Sequence, residues 1–229
     1  MLLTGPRIDP ALGGKADKLV VILHGFGANG SDLLGIGHLW GRSMPSAAFL
    51  AYDAPEPCAG APMGRQWFDL NERDPVRMID QLRGAARGLF ASIDAELARL
   101  GLEDDDLAIT GFSQGAMLTL FAGLRRPRAP AALVGYSGAL LVPEALVLDI
   151  TVRPPVLLIH GEEDPVVPAK ASRDAAETMR DCAVAVHTHI QPGLDHTIDQ
   201  QGIDIAASFL AHSFAEAARK RTERLAKAV

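Results

Sequence analysis

Six apolar runs of strand length recur along the chain, each closed by a turn signal and most followed by a helical pattern. They are 18–24 (KLVVILH), 47–52 (AAFLAY), 107–112 (LAITGF), 132–136 (ALVGY), 156–160 (VLLIH) and 184–190 (VAVHTHI). Most are continuously apolar rather than alternating, as strands of a parallel sheet covered on both faces must be. Between them, Val76, Ile79, Leu82, Ala86, Leu89, Phe90, Ile93 and Leu97 recur at helical spacing and share one face of a helix over 76–100. Residues 116–124, 170–180 and 203–219 also predict helices. Strand-then-helix alternation predicts a three-layer α/β domain with a mostly parallel sheet, helices on both faces and right-handed crossovers. No internal repeat and no linker interrupts the pattern.

Composition narrows this. With 229 residues and 48% apolar content, the chain can bury a full core. The expectation is one domain over 1–229, its core at 18–212 and a helical tail at 213–229. No apolar run approaches the ~18 residues of a membrane span. The opening Met1-Leu2-Leu3-Thr4-Gly5-Pro6 lacks the basic leader and long apolar stretch of a secretory signal. A formal charge of −6 argues against a nucleic-acid surface. Cys58 and Cys182 lie far apart and match no metal spacing. They read as thiols of a reducing, cytoplasmic compartment.

Four further segments are informative. Residues 55–75 form a long irregular connection of the kind that carries function. Residues 140–155 have room for a short helix but not for a lid domain. The acidic block Glu103-Asp104-Asp105-Asp106 reads as a solvated turn, since hard-cation loops need spaced ligands. The basic stretch 219–227 reads as a solvated helix end rather than a membrane contact.

The candidate chemistry centres on Gly111-Phe112-Ser113-Gln114-Gly115, a G-x-S-x-G sequence that joins a predicted strand to a predicted helix. In that setting the serine sits on a sharp turn, and the flanking glycines remove Cβ atoms that would collide. The new helix also aims free N–H groups at the serine, where they can hold an oxyanion. Neither G-x-G-x-x-G nor a Walker lysine is present, which disfavours a phosphate loop. Ser113 is therefore the candidate nucleophile. A serine hydroxyl needs a base, and the base needs an orienting acid.

On strand–elbow–helix folds the acid and then the base follow the serine in chain order. The run 156–160 exits through Glu162-Glu163-Asp164-Pro165, on the edge where parallel sheets carry their chemistry. Asp164 is the best placed of these acids, because Pro165 stiffens the loop. The last predicted strand exits through Gln191-Pro192-Gly193-Leu194-Asp195 to His196, which makes His196 the candidate base. His24 and His160 each precede a glycine at a strand exit and read as turn or loop-packing residues. His187 and His189 share one strand face without a visible third metal ligand. The glycine-rich turn His24-Gly25-Phe26-Gly27 supplies a second oxyanion donor. The expected donors are the backbone N–H groups of Phe26 and Gln114.

Taken together, His24-Gly25-Phe26-Gly27, Trp67-Phe68-Asp69, Gly111-Phe112-Ser113-Gln114-Gly115 and His160-Gly161-x-x-Asp164-x-Val166-Val167-Pro168 resemble the phospholipase/carboxylesterase family, which includes the acyl-protein thioesterases. The similarity spans about residues 19–209. It implies an α/β-hydrolase fold without a large lid, with Ser113, Asp164 and His196 matching the family's triad. It further implies hydrolysis of carboxylic esters or thioesters of small to medium acyl chains, without metal or cofactor. Neither nucleic acid nor stable membrane insertion is expected, and a homodimer is a frequent form. Trp67, Phe68, Leu70 and Met63 are candidates for the acyl pocket, while Trp67 and Phe68 could equally plug the core. Phe26 stands where leucine is usual, and Asp195 where glycine is usual. Narrower readings are an acyl-protein thioesterase or a lysophospholipase. A dienelactone-hydrolase-like enzyme would usually carry cysteine at the elbow, and a non-catalytic ligand-binding relative would usually lack a triad member.

Overall fold

The computed structural model describes residues 2–58, 61 and 63–227. In chain order the elements are β1 (Arg7–Ile8), β2 (Lys18–Leu23), α1 (Gly30–Trp40), β3 (Ala47–Tyr52), β4 (Glu56–Pro57), β5 (Arg65–Gln66) and α2 (Pro75–Leu100). A 3-10 turn (Asp104–Asp106) leads into β6 (Leu107–Phe112) and α3 (Gln114–Gly123). Then come β7 (Ala132–Tyr136), α4 (Pro143–Asp149), β8 (Val156–Gly161), α5 (Lys170–Asp181), β9 (Val186–Gln191) and α6 (Gln200–Lys227). Seven strands form one sheet in the order β1-β3-β2-β6-β7-β8-β9. All of its pairs are parallel except β1 on β3.

The continuous apolar run of β2 is two alternations superimposed, because successive side chains point to opposite faces. Leu19, Val21 and Leu23 enter a core built with Leu82, Leu89 and Ile93 of α2, Leu118 and Phe121 of α3, and Ala175 and Met179 of α5. Val20 and Ile22 enter a second core with Trp40 of α1 and Ile203, Ala206, Leu210 and Phe214 of α6. This is the three-layer arrangement that the pattern predicts. The long helix α2 has a defined start and stop. Asp74 accepts a hydrogen bond from the Val76 N–H, Pro75 occupies the first turn, and Gly101 ends the helix in the left-handed conformation.

Several elements differ from the sequence reading. Helix α1 and the two-residue β1 have no counterpart in it. The 55–75 connection is not wholly irregular, since β4 and β5 pair as a small antiparallel hairpin. The last strand starts later than expected, and β9 is an edge strand whose His187 is exposed. Burial continues past residue 212, to Phe214.

The acidic block is not a solvated turn, nor is the basic end of α6 wholly solvated. Arg126, only 2% exposed, binds Asp104 and Asp94 at 2.6 Å each. Arg221 reaches Asp106 at 2.8 Å, and Arg224 pairs with Asp105. The block therefore serves as a charged dock for the end of α6.

Trp40 joins the two helices of the second core. It is fully buried, and its Nε1–H donates to the Ile203 carbonyl at 3.0 Å. Trp40→Ala is expected to lower the free energy of unfolding by about 3–5 kcal/mol, measured by urea titration. The same substitution should leave the helical circular-dichroism signal of the folded state intact.

Candidate active site

The site is built where β6 turns into α3. Ser113 stands at the junction with φ 52° and ψ −116°, a left-handed conformation that side-chain-bearing residues rarely adopt. Close packing enforces it. A Cβ on Gly115 would lie 2.1 Å from the Leu23 carbonyl oxygen and 2.6 Å from that of His24. Helix α3 thus begins in backbone contact with the end of β2, and glycine is what permits the approach. Ser113 is further held by its own N–H, which donates to the Tyr136 carbonyl at 2.8 Å.

Three predicted residues from three strand exits meet here. His196 Nε2 lies 3.0 Å from Ser113 Oγ. His196 Nδ1 lies 2.6 Å from Asp164 Oδ2. Since the carboxylate accepts from Nδ1, Nε2 is left free to accept the serine proton. The loop carrying His196 is fastened to the end of β8 by Glu163 N–H donating to the Leu194 carbonyl at 2.9 Å. The Phe112 ring packs on the imidazole at 4.8 Å between centroids. The His196 side chain is 17% exposed, whereas that of Asp164 is fully buried.

Gln114 is the first residue of α3, so its N–H has no partner within the helix and is free at the mouth of the site. The turn 25–28 lies beside it. A Cβ on Gly25 would lie 3.4 Å from Ser113 Cβ, and the Phe26 side chain is exposed. That turn is tied down by Gly27 N–H to Arg65 O at 3.0 Å and Arg65 N–H to Ala28 O at 2.9 Å.

Sequence reasoning used Gln114 only for its backbone, yet its buried side chain clamps the 55–75 loop to the elbow. Its Oε1 accepts the Trp67 N–H at 3.0 Å, and its Nε2 donates to Phe68 O at 2.7 Å. Trp67 and Phe68 are each 3% exposed, and the Trp67 indole N–H donates to His24 O at 2.8 Å. His24 accepts the Ala54 N–H on Nε2 at 3.0 Å, so Nδ1 carries the proton that reaches Gly25 O at 2.7 Å. Burial pushes the His24 imidazole below the ordinary histidine range. Both rings thus belong to the scaffold of the site. Trp67 and Phe68 also border a surface groove with Leu3, Gly84 and Gly88. Leu70 is half-buried against the core, and Met63 is exposed in a separate cleft with Asn29, Asp53 and Arg65. Neither groove contains Ser113 or His196 in its described lining. Residues 59, 60 and 62 of the same loop fall outside the described residues. Between β7 and β8 the chain inserts only the seven-residue α4, and among the described residues no large lid covers the serine.

A mostly parallel sheet, a strained serine at a strand–helix elbow and a serine–histidine–aspartate chain together define an α/β-hydrolase. The sequence profile described as Phospholipase/Carboxylesterase matches residues 10–214, and the chain belongs to that family. Among relatives, acyl-protein thioesterase 1 of Schizosaccharomyces pombe is 33% identical over 75% of this chain and 79% of its own length. Acyl-protein thioesterase 1 of Gibberella zeae is 27% identical over 90% and 94% respectively. The crystal structure of esterase PE8 superposes with a TM-score of 0.87 at 40% identity, covering 93% of this chain and 99% of that one.

The acid of the site carries a measurable signature. Burial alone would raise the Asp164 pKa, but hydrogen bonds from His196 and from the Val167 and Val166 N–H groups outweigh it and hold the carboxyl below its ordinary value. A carboxyl depressed on folding stabilises the protein above its unfolded pKa, and that contribution is lost as pH falls through the folded value. Asp164→Asn lacks this titration. Urea unfolding from pH 7 downward should therefore show the stability gap between wild type and Asp164→Asn narrowing below about pH 4.

Proposed function

We propose that the chain is a serine hydrolase that cleaves carboxylic esters or thioesters through an acyl-enzyme on Ser113. The observation that carries this reading is the unbroken chain from Ser113 Oγ to His196 at 3.0 Å and on to Asp164 at 2.6 Å, set on a strained elbow. In this mechanism His196 takes the serine proton as Oγ attacks the acyl carbonyl, and Asp164 stabilises the imidazolium that forms. The N–H groups of Gln114 and Phe26 hold the oxyanion of the tetrahedral intermediate. His196 then protonates the leaving alcohol or thiol, and a water molecule activated by the same histidine releases the acid.

The substrate class follows from the parts and from the relatives together. An uncovered serine suits acyl groups presented on small molecules, and family members named esterase and acyl-protein thioesterase bracket oxygen and sulfur leaving groups. Trp67 and Phe68 anchor the Gln114 side chain behind the elbow. Among the described residues, no helix is long and apolar enough to cross a membrane.

A fluorophosphonate probe should label the wild type covalently and leave Ser113→Ala unlabelled; a folded wild type that resists the probe would end this reading. Ser113→Ala and His196→Ala should each lower kcat by roughly 10⁴–10⁶, and Asp164→Ala by less. A panel of p-nitrophenyl esters and acyl-cysteine thioesters then ranks acyl length and leaving group by kcat/KM.

A further inference from the structure

Asp164 does not serve His196 alone. Its carboxylate accepts three hydrogen bonds and lies against a fourth polar group. Val166 and Val167 N–H groups reach Oδ1 at 2.8 Å each. His196 Nδ1 reaches Oδ2 at 2.6 Å, and the same oxygen lies 3.1 Å from Nε2 of a second histidine, His160. His160 is the penultimate residue of β8, and its side chain is fully buried. Its Nε2 also lies 2.7 Å from the Val167 carbonyl. Both neighbours of Nε2 can only accept, so that nitrogen must carry a proton. On the other side of the ring, Nδ1 meets the Ser172 hydroxyl of α5 at 2.7 Å. A hydroxyl that donates to Nδ1 keeps the proton on Nε2. The charged side chain that His160 meets is Asp164, the other contacts being this hydroxyl and this carbonyl.

We propose that His160 is a positioning residue for the acid of the triad, acting through Asp164, with Ser172 holding its ring in place. The inference rests on the serine-hydrolase reading above. The His160 N–H holds the Val167 carbonyl, the Val167 N–H holds Oδ1, and the His160 ring edge sits against Oδ2, so His196 finds its acceptor already aimed. The partial positive charge of that His160 N–H, whose nitrogen lies 3.1 Å from Oδ2, also limits the negative charge that Oδ2 offers to the imidazolium. Removing the His160 donor leaves the buried Val167 carbonyl without its partner, loosens the turn that holds the carboxylate and takes a partial positive charge away from Oδ2. The imidazolium then gains stability, so the base stays protonated to higher pH.

The experiment compares wild type with His160→Leu, His160→Gln and Ser172→Ala, using p-nitrophenyl acetate kinetics across pH and labelling by a fluorophosphonate. His160→Leu should lower kcat by ~10–100-fold, the effect of leaving a buried carbonyl unsatisfied beside the triad. Its KM should stay close to that of wild type. The acid limb of kcat/KM should move to higher pH. His160→Gln keeps an N–H donor at similar reach and should recover most of kcat and the native acid limb. Ser172→Ala touches neither Asp164 nor His196 through the contacts described. It should move the acid limb in the same direction with a smaller loss of kcat, which keeps the test open if His160→Leu does not fold. Equal impairment of the Leu and Gln variants with an unmoved acid limb would reduce His160 to packing and overturn the proposal, as would wild-type kinetics in Ser172→Ala. If the wild type itself is neither labelled nor active, the hydrolase reading fails and takes this inference with it. A labelled, active wild type with indifferent variants fails the inference alone.

Discussion

The structure turns on how closely α3 approaches the end of β2. At Gly115 the helix comes so near the Leu23 and His24 carbonyls that no side chain fits between them, and Ser113 takes a left-handed backbone as the helix leaves β6. Such a conformation costs about 1–3 kcal/mol and persists only where its surroundings over-determine it. Here they do. All ten residues of α3 are buried, so the helix has no solvent-facing side on which to relax. The serine is exposed to substrate because the element that carries it is immobilised on every side.

Two buried polar chains flank that elbow, one for each half of the chemistry. On one side Gln114, Trp67 and His24 link the 55–75 loop, the elbow and the turn that holds Phe26. The peptide between Gly25 and Phe26 is planar, so a carbonyl held by His24 fixes the plane in which the Phe26 N–H lies. On the other side Asp164 gathers three donors from the β8 exit loop and the His196 loop, with His160 of β8 packed against it. Both chains are nearly fully satisfied, the condition under which buried polar groups confer rigidity rather than instability.

Much of this was legible in the sequence because the signals are local. Doubly covered strands read as unbroken apolar runs, and the elbow, the acid loop and the histidine loop each follow such a run. What escaped has identifiable physical causes. Helix α1 carries Gly30, Gly35 and Gly37 within eleven residues, which masks its propensity. Gly37 is there because a Cβ would lie 2.9 Å from Phe49 Cβ on β3. Packing overruled helix preference at that position. The capping box between Asn29 and Asp32 was the available clue. Strand β1, at two residues, is too short to show a period. The partner of Asp106 lies 115 residues away at Arg221, a distance over which charge runs carry no pairing information. Likewise nothing in the order of residues reveals that the His160 ring and the Gln114 amide turn inward, since their partners are set by strand register and by a loop fold.

The two cores are completed at different times during synthesis. The face of β2 that carries Leu19, Val21 and Leu23 meets α2 and α3, and all three elements have been made by residue 123. The opposite face, with Val20, Ile22 and Phe49, waits for Ile203 to Phe214 of α6. At ~5–20 residues per second, the part of that face that α1 does not cover stays bare for on the order of ten seconds. The docking of α6 on the Asp104–Asp106 turn is then a latch on the last layer.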